Sequence, residues 1–261
     1  MCGRVVPFTT EELEDAAEQI RAQGAGGGIT ALAELLDARD GALDGALDDT
    51  RDSRRLPPDA RPGSAVPVLL VSDGRLAIVE KVWGYLAPWG TRGDATGAVA
   101  GRAGTRPATR GRLIFNMRIE RALDALTAGG GGMWADSLAR RRCLVPVRMF
   151  YETRRAGARN GGDGGRRPPA AARHVAFALP GGGALFLAGV YQDERFSIAT
   201  TAPNADVAPV HDRMPVALAP REANAWLGPG FGRLADRSAL KLVAHPEPDH
   251  LGRVARGHNG G

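Results

Sequence analysis

Apolar positions along this chain fall mostly into short strand-like runs, with a few helical stretches between them. Val66–Val71 and Arg75–Val82 flank Ser72-Asp73-Gly74, the composition of a hairpin turn. Leu113 to Glu120 reads as an apolar strand that breaks into polar residues and runs on into a short helix. Cys143-Leu144-Val145-Pro146 leads to Met149-Phe150-Tyr151-Glu152 as another strand; His174–Leu179 and Ala184–Tyr191 flank a turn at Pro180–Gly183, and Phe196–Thr201 follows. Helical spacing is clearest at Leu13, Ala16, Ala17 and Ile20, behind Thr9 and Glu12 at capping-box separation. A second helix is expected over 30–38 on Leu32, Leu35 and Leu36, a third over 133–142, and a short one at Ala219–Leu227 with Pro220 in its first turn. Residues 37–61, 90–111 and 154–172 are rich in Gly, Arg, Asp, Thr or Pro without periodicity and read as loops.

Many short strands with hairpin signals and few helices predict an α+β fold on a mostly antiparallel sheet, with helices at its periphery. A single domain is expected over residues 1–230, followed by a loose C-terminal tail over 231–261. Length permits this, since 261 residues can bury a substantial core.

Composition narrows the setting. Two cysteines, Cys2 and Cys143, make no disulfide framework and favour a reducing, cytoplasmic compartment. No apolar run reaches membrane-spanning length, and the N-terminus lacks a signal-peptide pattern. The net charge of +5 invites an anionic partner, but nearly all the positive charge is arginine, with Lys81 and Lys241 the only lysines. Global basicity is therefore weak evidence, and the placement of individual arginines matters more.

Chemistry concentrates at a few places. Removal of Met1 would make Cys2 an N-terminal residue carrying both an α-amine and a thiol. In model compounds these titrate near about 7.7–8.0 and about 8.5, so each is partly reactive at neutral pH. An aldehyde meeting the pair can form a Schiff base and then a thiazolidine, which an internal cysteine cannot do. Asn116 ends a strand, where the sheet fixes a side chain whose tip reaches solvent; a turn or cap is its ordinary alternative. Glu152 follows two aromatic residues and is either edge-exposed or a site residue with a raised pKa. His211-Asp212-Arg213-Met214-Pro215 sits on a proline-stiffened loop with little packing value. Tryptophans at 83 and 89 suit either base stacking or plugging a sheet end, and a plug is expected of Trp83. No His or Cys pair has metal-ligand spacing.

In their order, Cys2-Gly3-Arg4, Trp83-Gly84, Asn116-x-Arg118-x-Glu120, Cys143-Leu144-Val145-Pro146, Phe150-Tyr151-Glu152 and His211-Asp212-Arg213-Met214-Pro215 resemble the SOS-response-associated peptidase (SRAP) family, which crosslinks abasic sites in single-stranded DNA. The resemblance runs from about Cys2 to Leu227. It implies a barrel-like sheet, no cofactor or metal, a monomer, and single-stranded DNA carrying abasic sites as partner, on the nucleoid when bound. It implies Cys2 as nucleophile, Asn116 holding its terminus, Glu152 shuttling a proton and His211 assisting transfer and reversal. Arg4, Arg118 and Arg213 would contact phosphates, and Pro62, Trp89 and Thr200 would face the DNA. The chain departs from the family at Asp59 (usually Asn), Arg61, Met117, Arg148-Met149 and Thr153, and Asp59 puts a negative charge near the expected DNA path. Two other readings remain: a thiol autopeptidase that matures only its own N-terminus, and a non-covalent single-strand binder.

Overall fold

The computed structural model describes residues 2–22, 32, 59–72, 75–86, 113–129, 132–154 and 174–246. In chain order these form β1 (Arg4–Pro7), α1 (Thr10–Ala22), β2 (Ala65–Ser72), β3 (Arg75–Trp83), β4 (Tyr85–Leu86), β5 (Leu113–Ile114), β6 (Asn116–Arg118), α2 (Ile119–Thr127), α3 (Ala135–Arg140), β7 (Arg142–Thr153), β8 (His174–Ala178), β9 (Leu185–Gln192), β10 (Arg195–Thr201), β11 (Met214–Pro215), β12 (Ala217–Leu218), α4 (Ala223–Leu227) and β13 (Val243–Pro246). Short 3-10 turns at Pro220–Glu222 and Pro229–Ala235 flank α4.

The alternation in the sequence becomes an 11-stranded sheet with the path β12-β9-β10-β3-β2-β7-β8-β13. The hairpin forms with Ala65 opposite Val82 and Ser72 opposite Arg75. Most pairings are antiparallel; β10 lies parallel to β3 and β6. β7 also pairs with β9, from Arg142 opposite Val190 to Val147 opposite Leu185, so β2, β3, β10, β9 and β7 join in a ring. The expected mixed α+β class and antiparallel sheet are observed, with this ring-like closure.

Because strand side chains alternate between faces, the described residues form two large cores and a small third cluster of Val6, Met149, Tyr151, Ala176 and Ala178. One holds Val66, Val68, Leu70, Trp83, Cys143, Val145, Leu187, Phe196 and Ile198, with Cys2 and Val5 packed among them. Trp83 is fully buried, stacks on Phe196 with ring centroids 6.2 Å apart and donates Nε1–H to Phe115 O, which is the expected plug. The other core lies under the helices and joins Leu69, Leu144, Phe186 and Ala188 to Leu13, Ala16, Ile119, Leu138 and Trp226. The capping box at α1 is present: Glu12 N–H donates to Thr9 Oγ1 at 3.2 Å and Thr9 N–H to Glu12 Oε2 at 2.8 Å.

One expectation lies outside the described residues and one changes. The helix expected over 30–38 falls outside the described residues except for Leu32, which is buried. The chain beyond residue 230 is not wholly a loose tail. β13 pairs with β8 from Val243 opposite Ala178 to Pro246 opposite Val175, Leu242 is buried, and Asn204 Nδ2 donates to Leu240 O. An edge strand ending in proline tolerates the missing N–H, so the segment carried no strong strand signal.

Closure of the ring requires glycine at one point. Gly189 faces Cys143 on one side and Ile198 on the other, and a Cβ there would come within 2.9 Å of Cys143 Sγ and 3.2 Å of Ser197 O. Gly189→Ala is expected to destabilise the fold by about 1–3 kcal/mol, as overpacking does. Denaturant unfolding checks this, and an unchanged midpoint would show that the strands can separate at no cost.

Candidate active site

The N-terminal strand is held on both edges. Arg4 and Val5 of β1 lie opposite Tyr151 and Phe150 of β7, while Val5 and Ala60 exchange backbone hydrogen bonds on the other edge. Cys2 precedes this strand and is fully buried. Asn116 Nδ2 donates to the Cys2 carbonyl at 2.8 Å. Asn116 itself is fixed by β6 lying against β10, opposite Ile198, and its Oδ1 is buried without a hydrogen-bond partner among the described residues. Burial pushes the Cys2 thiol well above its ordinary range, and the charge of nearby Glu152 pushes it the same way. The thiol is thus held protonated at neutral pH, unlike the partly ionised terminus that a solvated cysteine would present.

Glu152 is 1% exposed near the end of β7, on the strand that carries β1. Burial raises its carboxyl to about 7, and the charge of Asp212 adds to the rise. Of the two alternatives for Glu152, the edge-exposed one is excluded by its burial. His211 Nδ1 lies 3.9 Å from Glu152 Oε2 and 3.2 Å from Asp212 Oδ1. The same nitrogen is 3.0 Å from Arg213 N–H and 3.1 Å from Arg213 O. An unprotonated Nδ1 accepts from that amide; a protonated one donates to that carbonyl and faces two carboxylates. Cys2, Asn116, Glu152 and His211 come from four segments distant in sequence, and this chain of contacts links Asn116 to Cys2 and His211 to Glu152.

The profile of the SOS response associated peptidase (SRAP) family matches residues 1–254. The chain belongs to the SRAP family. Among solved structures, a phage-related protein from Bordetella bronchiseptica is similar at 19% identity and a TM-score of 0.50, covering 95% of this chain and 94% of its own. A protein from Bacteroides thetaiotaomicron is 18% identical with a TM-score of 0.47, covering 81% of this chain and 88% of its own. The first likeness speaks for the fold alone. No curated protein matches.

Within this SRAP chain the residues expected to face DNA divide. Arg118, at the end of β6, is exposed and has no ion-pair partner among the described residues. Arg4 lies over the Tyr151 ring at 3.9 Å and donates Nε–H to Asp59 at 2.6 Å. Asp59, which departs from the family pattern, is therefore a counterion placed on Arg4. Pro62 is half-buried in the turn after Ala60, closed by Ser64 N–H donating to Arg61 O. Trp89 lies outside the described residues. Two of these residues are engaged within the chain. Thr200 is 1% exposed and its hydroxyl donates to Met117 O, because strand alternation in β10 turns it inward. Arg213 turns its guanidinium onto Glu120, Nη1 to Oε1 and Nη2 to Oε2 at 2.8 Å each, and onto Thr200 O.

The other departures have structural partners. Met117 fills the core under the helices. Arg148 lies over Phe8 and bonds Glu12 Oε1 at 2.7 Å and Pro7 O, so it ties α1 to β7. Thr153 Oγ1 meets His174 Nδ1 across the β7–β8 pair. Sequence reasoning missed Glu120 as a partner for Arg213, although it lies in the Asn116-x-Arg118-x-Glu120 spacing. Among the described residues no group of three or more His, Cys, Asp or Glu side chains could hold a metal ion, and no helix is long and apolar enough to cross a membrane.

Proposed function

We propose that this chain captures abasic sites in single-stranded DNA by a covalent bond to Cys2, acting as a monomer and without a cofactor. The observation that carries this reading is the buried Glu152 carboxyl, raised to about 7, on the strand beside a thiol that burial keeps protonated. A nucleophile that needs deprotonation at neutral pH is served by a base that titrates there.

With Met1 removed, the Cys2 amine adds to the ring-opened sugar aldehyde to give a carbinolamine. Its hydroxyl leaves as water on taking a proton, which protonated Glu152 or His211 supplies, and a Schiff base forms. Ionised Glu152 then takes the thiol proton, and the sulfur adds to the carbon of the protonated imine, whose C=N electron pair returns to nitrogen. The product is a thiazolidine plus one water. Asn116 holds the Cys2 carbonyl through Nδ2, and its buried Oδ1 offers an acceptor to the amine. Reversal runs through the same groups by microscopic reversibility.

The test is incubation of Met1-free protein with a single-stranded oligonucleotide bearing one abasic site, followed by denaturing electrophoresis. A heat-stable adduct is expected with the abasic strand and none with an intact strand. Absence of an adduct, once mass spectrometry shows Met1 removed, rejects the reading and leaves the autopeptidase or the non-covalent binder.

Arginine placement yields a salt prediction. Each phosphate contact to a single strand contributes roughly 0.7 to the log–log slope of affinity against salt. Arg118→Ala is expected to lower that slope by about 0.7. Asp59→Asn removes the Arg4 counterion and is expected to raise both affinity and slope. Titrations on intact single strands at several salt concentrations check both, and an unmoved slope in Arg118→Ala removes Arg118 from the interface.

A further inference from the structure

Glu120 has no part in the chemistry above, yet it stands where two halves of the site meet. It lies in the first turn of α2, directly after the strand that carries Asn116. Its carboxylate takes both terminal nitrogens of Arg213 at 2.8 Å, the fork-to-fork geometry in which arginine–carboxylate pairs are strongest and most directional. Arg213 Nη2 also donates to Thr200 O at 2.6 Å, and Thr201 Oγ1 donates to Ala235 O at 2.6 Å and approaches Glu120 Oε1 at 3.4 Å. The Arg213 guanidinium is therefore anchored to α2 and β10, with its side chain 14% exposed.

That anchoring acts on His211 through the backbone. The amide and carbonyl that bracket His211 Nδ1, at 3.0 and 3.1 Å, both belong to Arg213. Whether Nδ1 accepts or donates depends on where those two groups stand, and they stand where the Glu120–Arg213 fork puts them. We infer that Glu120 is a positioning residue, which through Arg213 sets the orientation and proton state of His211 beside Glu152. The inference rests on the proposed function for its kinetic consequence but not for its structural one. It also gives Arg213 a role its guanidinium can perform without leaving Glu120 for a phosphate.

The experiment has two arms. In the first, the tautomer and titration of the His211 ring are followed by nitrogen and carbon NMR in the free wild-type chain and in Glu120→Gln, with thermal unfolding measured alongside. Glutamine keeps the size of the side chain but loses the charge and one acceptor. A displaced His211 titration with a retained folded spectrum is expected, and an unmoved titration overturns the inference. This arm needs no DNA, so it stands even if crosslinking fails. In the second, single-turnover adduct formation is measured for Glu120→Gln, His211→Ala and the double variant. Glu120→Gln is expected to slow the reaction at least about tenfold, part of the hundredfold to ten-thousandfold that general acid–base help provides. The double variant should be no slower than His211→Ala alone, because residues acting through one group are not additive. Losses that multiply would show Glu120 acting independently of His211 and overturn the inference. Arg213→Lys, which cannot make the fork, should reproduce the Glu120→Gln titration shift; a wild-type titration in that variant also overturns it.

Discussion

Cys2→Ala is expected to abolish adduct formation with abasic DNA while leaving the chain folded. Cys2 is fully buried but small, so its truncation should cost about 1 kcal/mol, the typical effect of a point substitution, and the fold should survive. A second variant separates the thiol from the terminus. Inserting serine between Met1 and Cys2 keeps the sulfur but leaves its amine in a peptide bond, so a thiazolidine cannot close. Both variants should bind intact single strands. Heat-stable crosslinking by the insertion variant at the wild-type rate would show that an internal nucleophile does the work.

Glu152→Gln is expected to slow adduct formation by about a hundredfold to ten-thousandfold and to remove a rise in rate through about pH 7. The same substitution should change stability in the opposite direction. The folded carboxyl titrates near 7 against an ordinary 4.5, so between these values the folded chain holds a proton that the unfolded chain has released. The contribution of this group to stability is therefore fully present below about 4.5 and is lost as pH rises through 7; the gap corresponds to roughly 3 kcal/mol. Glutamine carries no charge to bury. Glu152→Gln should melt higher than the wild type at pH 8, with the difference closing by pH 5. Equal melting curves at pH 8 would mean that Glu152 is paired well enough to be buried ionised, and its role as a base at neutrality would fall with them.

Much of this was legible in the chain itself. The hairpin at Ser72-Asp73-Gly74 and the strand ending in Glu152 carry strong alternation or long apolar runs, which local physics ties to strands. Glu152 announced itself because a carboxylate beside Phe150 and Tyr151 on a strand has few inexpensive places to go. Three things were not legible. Burial of the Cys2 thiol comes from β1 lying across β7, well over a hundred positions away in sequence. Thr200 and Arg213 were expected to face DNA, but burial of the one and the Glu120 fork of the other depend on contacts between β6, α2, β10 and the 211–213 turn, which no local pattern records. β13 went unread because Val243-Ala244-His245-Pro246 has neither the alternation nor the length of a central strand.

The order in which these parts leave the ribosome has a consequence of its own. Cys2 is made before Asn116, Glu152 and His211, which follow it by 114, 150 and 209 positions, the differences of their residue numbers. At about 5–20 residues per second, His211 appears roughly 10 to 40 s after the cysteine. Until β7 exists β1 has only its bridge to Ala60, and Cys2 lacks the strand that brings Glu152 near it. On the proposed function, newly made chains would therefore pass through a period in which Cys2 is unassisted, and acquire their reactivity only after His211 has been made.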